Sequence, residues 1–362
     1  MTTTLPKPNT YEDVAKKQHL IPRTYMRMWS PNNNDSILIF DKKEPQKGLQ
    51  PKNVDNINYK IGFHDIKAGD LFIPDNALSD LFGFLSAYSI FFNNTKLSTL
   101  RELSDNYIDF DNWKIYNSSG TLINKKEKNE IKRIIAQSRH PFIESQWSVQ
   151  LENDWQRNIK HIESKIRCKV YNNNVSPLNH SELKMLFTYL IIFDFRKNNG
   201  NAWISHIIDT ILPIEYSKIS IPVNERMHNF INTLGEELKH FDKVKAYYEF
   251  LNNKTGHIAT MIDNYVNYFG ITVLLTAPEF PFITSESPSI IINRIDKLKE
   301  HLFVATPTML ISTYKKKASE PNLIRSYLRP KDVWRYNKYI AKHSEVIISK
   351  DKDLNCHRLL AR

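Results

Sequence analysis

A chain of 362 residues with 41% hydrophobic and 12% aromatic content has enough apolar side chain to build a core, which excludes pervasive disorder. Its net charge of +11 draws polyanions over long range, so nucleic acid is the first partner class to consider, an anionic membrane surface the second, and plain solubility the bland alternative. Two distant cysteines, Cys168 and Cys356, exclude a disulfide framework or a CxxC-type zinc site, and nine scattered glycines exclude the clustered-glycine loops that cradle phosphate in P-loop, Rossmann and kinase folds.

The opening MTTTLPKPNTYEDVAKK lacks an apolar stretch behind a basic start, unlike a secretory signal. Residues 18–29, QHLIPRTYMRMW, then set His19, Pro22, Arg23 and Arg27 among large apolar side chains. The expectation is that Ile21, Tyr25, Met28 and Trp29 pack inward and hold His19 and Arg23 towards groups arriving from elsewhere. Short β-branched or aromatic runs follow at 36–40 (SILIF) and 58–63 (NYKIGF). Helical spacing then takes over, first in Leu78, Leu81, Phe82, Leu85 and Tyr88, and later in Leu151, Trp155, Ile159, Ile162 and Ile166. A helix capped by Asn179 or Ser181 is predicted to carry MLFTYLIIF, residues 185–193, too short to span a bilayer. Residues 224–252 read as one long or broken helix weakened at Gly235. Strand candidates return at 271–276, 301–312 and 345–349, and the NNN runs at 32–34 and 172–174 read as surface loops.

These elements predict an α+β fold in which a mainly helical middle packs on a small sheet built from N-terminal and C-terminal strands. One domain is expected over 1–362, strand-rich at 36–63 and 271–349 and mainly helical over 77–268. The protein is expected to be cytoplasmic, without a membrane partner.

Four constellations bear on chemistry. Glu225-x-x-His228 and Glu237-x-x-His240 each put a carboxylate and an imidazole on one helical face, but they lie too far apart along a continuous helix to share a metal. Glu163-x-Lys165 has the tail of a nuclease-like pattern, on a helix where that pattern wants a strand. FPFITSESPSI, residues 280–290, delivers Ser285, Glu286 and Ser287 at an apolar strand end, as active-site turns and ordinary strand-ending turns both do. Residues 313–343 hold nine Lys or Arg against Glu320 and Asp332, interleaved with Tyr314, Tyr327, Trp334, Tyr336 and Tyr339. That mixture suits a surface that tracks phosphate and stacks bases, and equally a helix with a solvated basic face.

Taken in order, these points resemble a bacterial family, domain-of-unknown-function family 4238. The resemblance rests on His19-x-x-Pro22 with Tyr25, Met26 and Trp29, on Ile162-Glu163, on a helix ending in Arg196, on Ser285-Glu286-Ser287-Pro288, on Thr306-Pro307 and on Asn337. Glu286 and Ser287 stand where the family more commonly has aspartate and asparagine. The resemblance implies a role in phage defence and the convergence of His19, Glu163, Arg196 and Glu286, whether as a site or as a buried brace in which Arg196 pairs with Glu163 or Glu286.

The leading expectation is a defence effector that hydrolyses nucleic acid. His19 acts as base or metal ligand, Glu163 and Glu286 act as ligands or acid–base groups, and Arg23, Arg196, Ser285 and Asn337 bind substrate. Lys315, Lys316, Lys317, Arg325, Arg329, Lys331, Trp334, Arg335 and Lys338 form the nucleic-acid surface. Mg²⁺ or Mn²⁺ is the candidate cofactor, while metal identity, self-assembly and a phage-derived trigger stay open. The alternatives are a non-catalytic nucleic-acid sensor and an enzyme acting on a nucleotide or other small anion.

Overall fold

The computed structural model describes residues 17–32, 34–168, 177–196, 214–226, 228–293, 299–317 and 320–361. They have the α+β character expected, and they fall into two compact units. One unit comprises Gly62–Gln146 and the described part of His206–Tyr248; the other comprises Lys17–Ile61, Glu249–Arg362 and Trp147–Ser205 as far as it is described. No Pro-, Gly- or Ser-rich linker accompanies these transitions, so composition carries no sign of them.

The larger unit holds two principal sheets. Its five-stranded sheet runs in the order Ser289–Asn293, Lys299–Thr306, Met309–Lys315, Phe269–Leu275 and Leu323–Tyr327, antiparallel except for the last, parallel pair. The 301–312 run, expected as one strand, is a hairpin folded at Pro307-Thr308, because proline has no N–H to continue a ladder. Residues Met309–Thr313 are buried without alternation, as in a strand covered on both faces. The other sheet orders Gln50–Asn53, Ser36–Asp41, Val346–Ser349 and Thr284–Ser285, and so joins N-terminal and C-terminal strands as expected. Of NYKIGF only Tyr59–Ile61 is strand, paired with Lys17–His19 in a two-stranded ribbon.

Helix Trp155–Arg167 buries Trp155, Ile159, Ile162 and Ile166 at the predicted spacing. Helix His180–Phe195 starts from Asn179, whose side chain accepts the Glu182 N–H while Glu182 accepts in return, a reciprocal capping box. From Leu186 it is buried on nearly every side, which explains its almost unbroken apolar run. Tyr25, Trp155, Phe193 and Phe303 stack at centroid distances of 4.8 to 6.4 Å, fastening the opening segment and both helices to the sheet.

Residues 77–268 are mainly helical where described, and within them the smaller unit also contains the three-stranded sheet Thr95–Leu97, Ser89–Phe92 and Lys114–Tyr116. Asn93 and Asn94 both take positive φ and close the first hairpin. The helix expected from 224 begins at Leu234, where Thr233 and Glu236 form a capping box. Gly235 is needed there because a Cβ would meet the Ser217 backbone at 2.9 Å. The NNN run at 172–174 lies outside the described residues, as does Asn33.

Candidate functional site

Most of the motif residues gather around one stretch of the larger unit, residues 276–289. Trp29 donates its indole N–H to the Phe282 carbonyl at 3.0 Å, and Phe282 N–H reaches the Pro307 carbonyl at 2.7 Å. Asn337 is 4% exposed and holds both sides of the segment, accepting the Ile283 N–H and donating to the Pro281 carbonyl, each at 3.1 Å. Tyr25, fully buried, gives its hydroxyl proton to the Val304 carbonyl at 2.7 Å and so must accept from Thr284 at 2.6 Å. Burial raises the Tyr25 phenol well above its ordinary range, so it stays protonated. Ser285 is 1% exposed, and its hydroxyl donates to the Ser287 carbonyl and accepts the Ser287 N–H, each at 3.0 Å.

His19 and Arg196 meet, though not through the imidazole. Arg196, 1% exposed, donates to the His19 carbonyl and to Glu152, with its guanidinium 4.9 Å from the Trp147 ring. The ion-pair partner is therefore Glu152, not Glu163 or Glu286, because the turn before helix Trp155–Arg167 delivers it to the buried end of helix His180–Phe195. The His19 ring turns Nδ1 to the Ile57 carbonyl at 3.1 Å and meets the Tyr59 ring in a T-shaped contact, centroids 6.0 Å apart. Arg23 is bound to Asp55 at 2.8 Å and half exposed, and this contact holds the Asp55 carboxyl below its usual range.

Glu286 connects to this corner through its backbone, whose carbonyl accepts from Asn58 at 3.4 Å. Its carboxylate turns away and accepts the N–H groups of Glu345 and Val346 at 2.8 and 2.9 Å. Burial nonetheless pushes its pKa up, outweighing those bonds. Glu163 belongs to another cluster, in which Arg167 at 2.9 Å, Thr308 at 2.6 Å and Thr306 at 3.0 Å all donate to it. Arg167 also reaches the carbonyls of Thr276 and Thr308, tying helix, strand end and hairpin together. The three residues expected to be catalytic thus serve three bonded clusters around the 276–289 segment rather than one set of converging side chains. Among the described residues no three His, Cys, Asp or Glu side chains are disposed to hold a metal ion.

Sequence reasoning missed a second polar group, buried between the five-stranded sheet and its helices. Ser289 and His301 lie 2.6 Å apart at Nε2, Tyr265 reaches Nδ1 at 3.2 Å, and the Asp194 carboxylate is 3.9 Å from the same imidazole. Burial and the Asp194 charge drive the Tyr265 phenol up to about 12. A serine and a histidine twelve positions apart carry no motif; only the pairing of Ser289–Asn293 with Lys299–Thr306 brings them together.

The basic carboxyl-terminal stretch is distributed over strands Met309–Lys315 and Leu323–Tyr327 and helix Pro330–Lys342. Arg325 is committed to the carbonyls of Ile166 and Cys168, closing the C-terminal end of helix Trp155–Arg167. Trp334 lies half-buried beneath Arg358, and Lys316 is tied to Asn322. Lys315 and Lys317 are exposed. On the helix, Val333, Asn337, Ile340 and Ala341 face inward, which leaves Lys331, Arg335, Lys338 and Lys342 on one outer stripe by their 4-3-4 spacing. Tyr339, 47% exposed, stands beside that stripe. Arg329 and Arg335 share Asp332 at 3.1 and 3.5 Å, and Lys338 reaches the Ala361 carbonyl at 2.9 Å.

The sequence pattern of one family, described as "Protein of unknown function (DUF4238)", matches residues 17–353. The chain belongs to that family. No curated protein and no solved structure matches it. No described helix is long and apolar enough to cross a membrane.

Proposed function

We propose that this chain acts on nucleic acid, gripping the phosphate backbone through the outer stripe of helix Pro330–Lys342. What supports the reading is the alignment of Lys331, Arg335, Lys338 and Lys342 on one helical face beside exposed Tyr339, with Lys315 and Lys317 exposed on a neighbouring part of the chain. A row of cations follows a polyphosphate, and an exposed phenol ring offers a base a stacking platform. The family resemblance makes invading phage nucleic acid the target to try first.

Anisotropy titration of labelled single- and double-stranded RNA and DNA across a salt series tests the grip. Neutralising Lys331, Arg335, Lys338 and Lys342 to glutamine should weaken binding for every sequence and flatten the log–log salt slope by about 3 to 4. Unchanged affinity and slope in that variant would refute the proposal. Incubating the same complexes with Mg²⁺ or Mn²⁺ tests turnover: cleavage lost in Glu163→Gln extends the reading to a nuclease, and intact probe confines it to binding.

A further inference from the structure

The smaller unit holds an open-mouthed cleft of about 500 Å³, within the range that takes a small organic molecule. Its floor is apolar, with Leu85, Ile90 and Leu103 buried and Leu97 and Leu100 half-buried. The strand register decides which side chains build that floor. Ile90 pairs with Leu97 across strands Ser89–Phe92 and Thr95–Leu97, so the two share one face of the hairpin, while Lys96, which borders the mouth, pairs with Phe91 on the other face. Gly83 forms part of the wall, just past helix Asp75–Phe82, with φ −58° and ψ −32°, a helical conformation open to any residue. Beyond its own turn, a Cβ at 83 would meet only the Ser79 side chain, whose hydroxyl lies at 3.2 Å. Neither backbone conformation nor close packing against another element requires a glycine, and what the missing side chain leaves is open space at the cleft wall.

Hydroxyls from three segments make the rim: Ser79 of the helix, Ser86 and Tyr88 ahead of strand Ser89–Phe92, and Ser98 just after strand Thr95–Leu97. None of the four has a hydrogen-bond partner among the described residues. Burial, and after it the charge of Glu127, raises the Tyr88 phenol, which therefore remains a donor. Two carboxylates near the rim are committed to backbone groups. Glu102 accepts the Ser98 and Thr99 N–H groups at 2.6 and 2.9 Å, and Glu127 accepts the Asn124 N–H at 3.1 Å. The floor is thus ringed by groups that both donate and accept, with no fixed charge turned towards it.

We propose that this cleft binds a small uncharged amphiphile, an alcohol or amide whose apolar body lies on the leucines and whose polar end is held at the hydroxyl rim. A charged molecule of the same shape would lose hydration that no lining group replaces.

Titration of the full chain with the straight-chain alcohols from butan-1-ol to octan-1-ol, followed by the methyl resonances of Ile90, Leu97 and Leu103, tests this, with octanoate and octylammonium as charged counterparts. Affinity should rise about threefold to fourfold per methylene until the floor is covered. Each charged counterpart should bind about tenfold or more weakly than octan-1-ol. Gly83→Ala should bind octan-1-ol and keep the fold, whereas Gly83→Leu, with an unchanged circular dichroism spectrum, should lose affinity about tenfold or more because its side chain occupies the wall. Three results overturn the proposal: no saturable shift of those methyl groups by octan-1-ol up to about 2 mM, equal affinity for either charged counterpart, or a folded Gly83→Leu that binds as before.

Discussion

Arg196 is the residue at which the reading of the chain and the folded molecule part most instructively. A cation closing an apolar helix is conspicuous in sequence, and burial could be foreseen; its partner could not. Glu152 ends a π-helical turn just before helix Trp155–Arg167, and no sequence spacing pairs it with Arg196; only the fold does. Removing one member of such a pair strands the other charge. Arg196→Met is expected to destabilise the protein by about 3–5 kcal/mol, and Arg196→Met with Glu152→Leu by clearly less, measured by urea unfolding. Glu286 makes a different prediction. Its carboxyl has a pKa above the ordinary 4.5 in the fold, so protonation favours the folded state. The resulting stabilisation is complete below about pH 4.5 and is lost as pH rises through the folded value. Unfolding free energies measured from pH 4 to 8 should therefore show a falling component that disappears in Glu286→Gln. That variant should also be weaker overall by about 1–3 kcal/mol, because an amide oxygen can satisfy only one of the two backbone N–H groups well.

At the scale of elements, periodicity was the most reliable guide. Ile159, Ile162 and Ile166 point inward as their spacing requires, and Asn179 caps where a cap was sought. What spacing could not show is that Asn337, on the buried face of helix Pro330–Lys342, exists to hold a strand end. Its amide meets one N–H and one carbonyl of the 281–283 backbone, a pairing that aspartate or leucine cannot reproduce. Asn337→Leu should lower stability by about 1–3 kcal/mol in denaturant melts while leaving the outer cationic stripe in place. Helix and strand end form one piece, so nucleic-acid affinity per folded molecule should be retained.

For the molecule as a whole, composition announced a folded protein with a large cationic surplus and the order of the elements an α+β fold, while neither marked the two units. Among the described residues their boundaries fall between ordinary segments, Ile61 to Gly62, Gln146 to Trp147 and Tyr248 to Glu249, with no change of residue type to mark them. The motif residues were legible as a group because polar side chains in apolar runs need one another. Their purpose was not, since a carboxylate that receives backbone N–H groups and one that would bind a metal look alike in sequence. The sheet that joins both ends of the chain also sets a timetable. Strand Ser36–Asp41 must wait for Val346–Ser349, with Val346 opposite Asp41, before its second edge is covered. At typical rates of translation that interval lasts about 15 to 60 seconds, during which an apolar strand has an open edge in a crowded cell. A chain stopped just before Val346 should therefore accumulate as insoluble protein in expression trials, and dependence on chaperones should fall once Val346–Ser349 has been made and has paired.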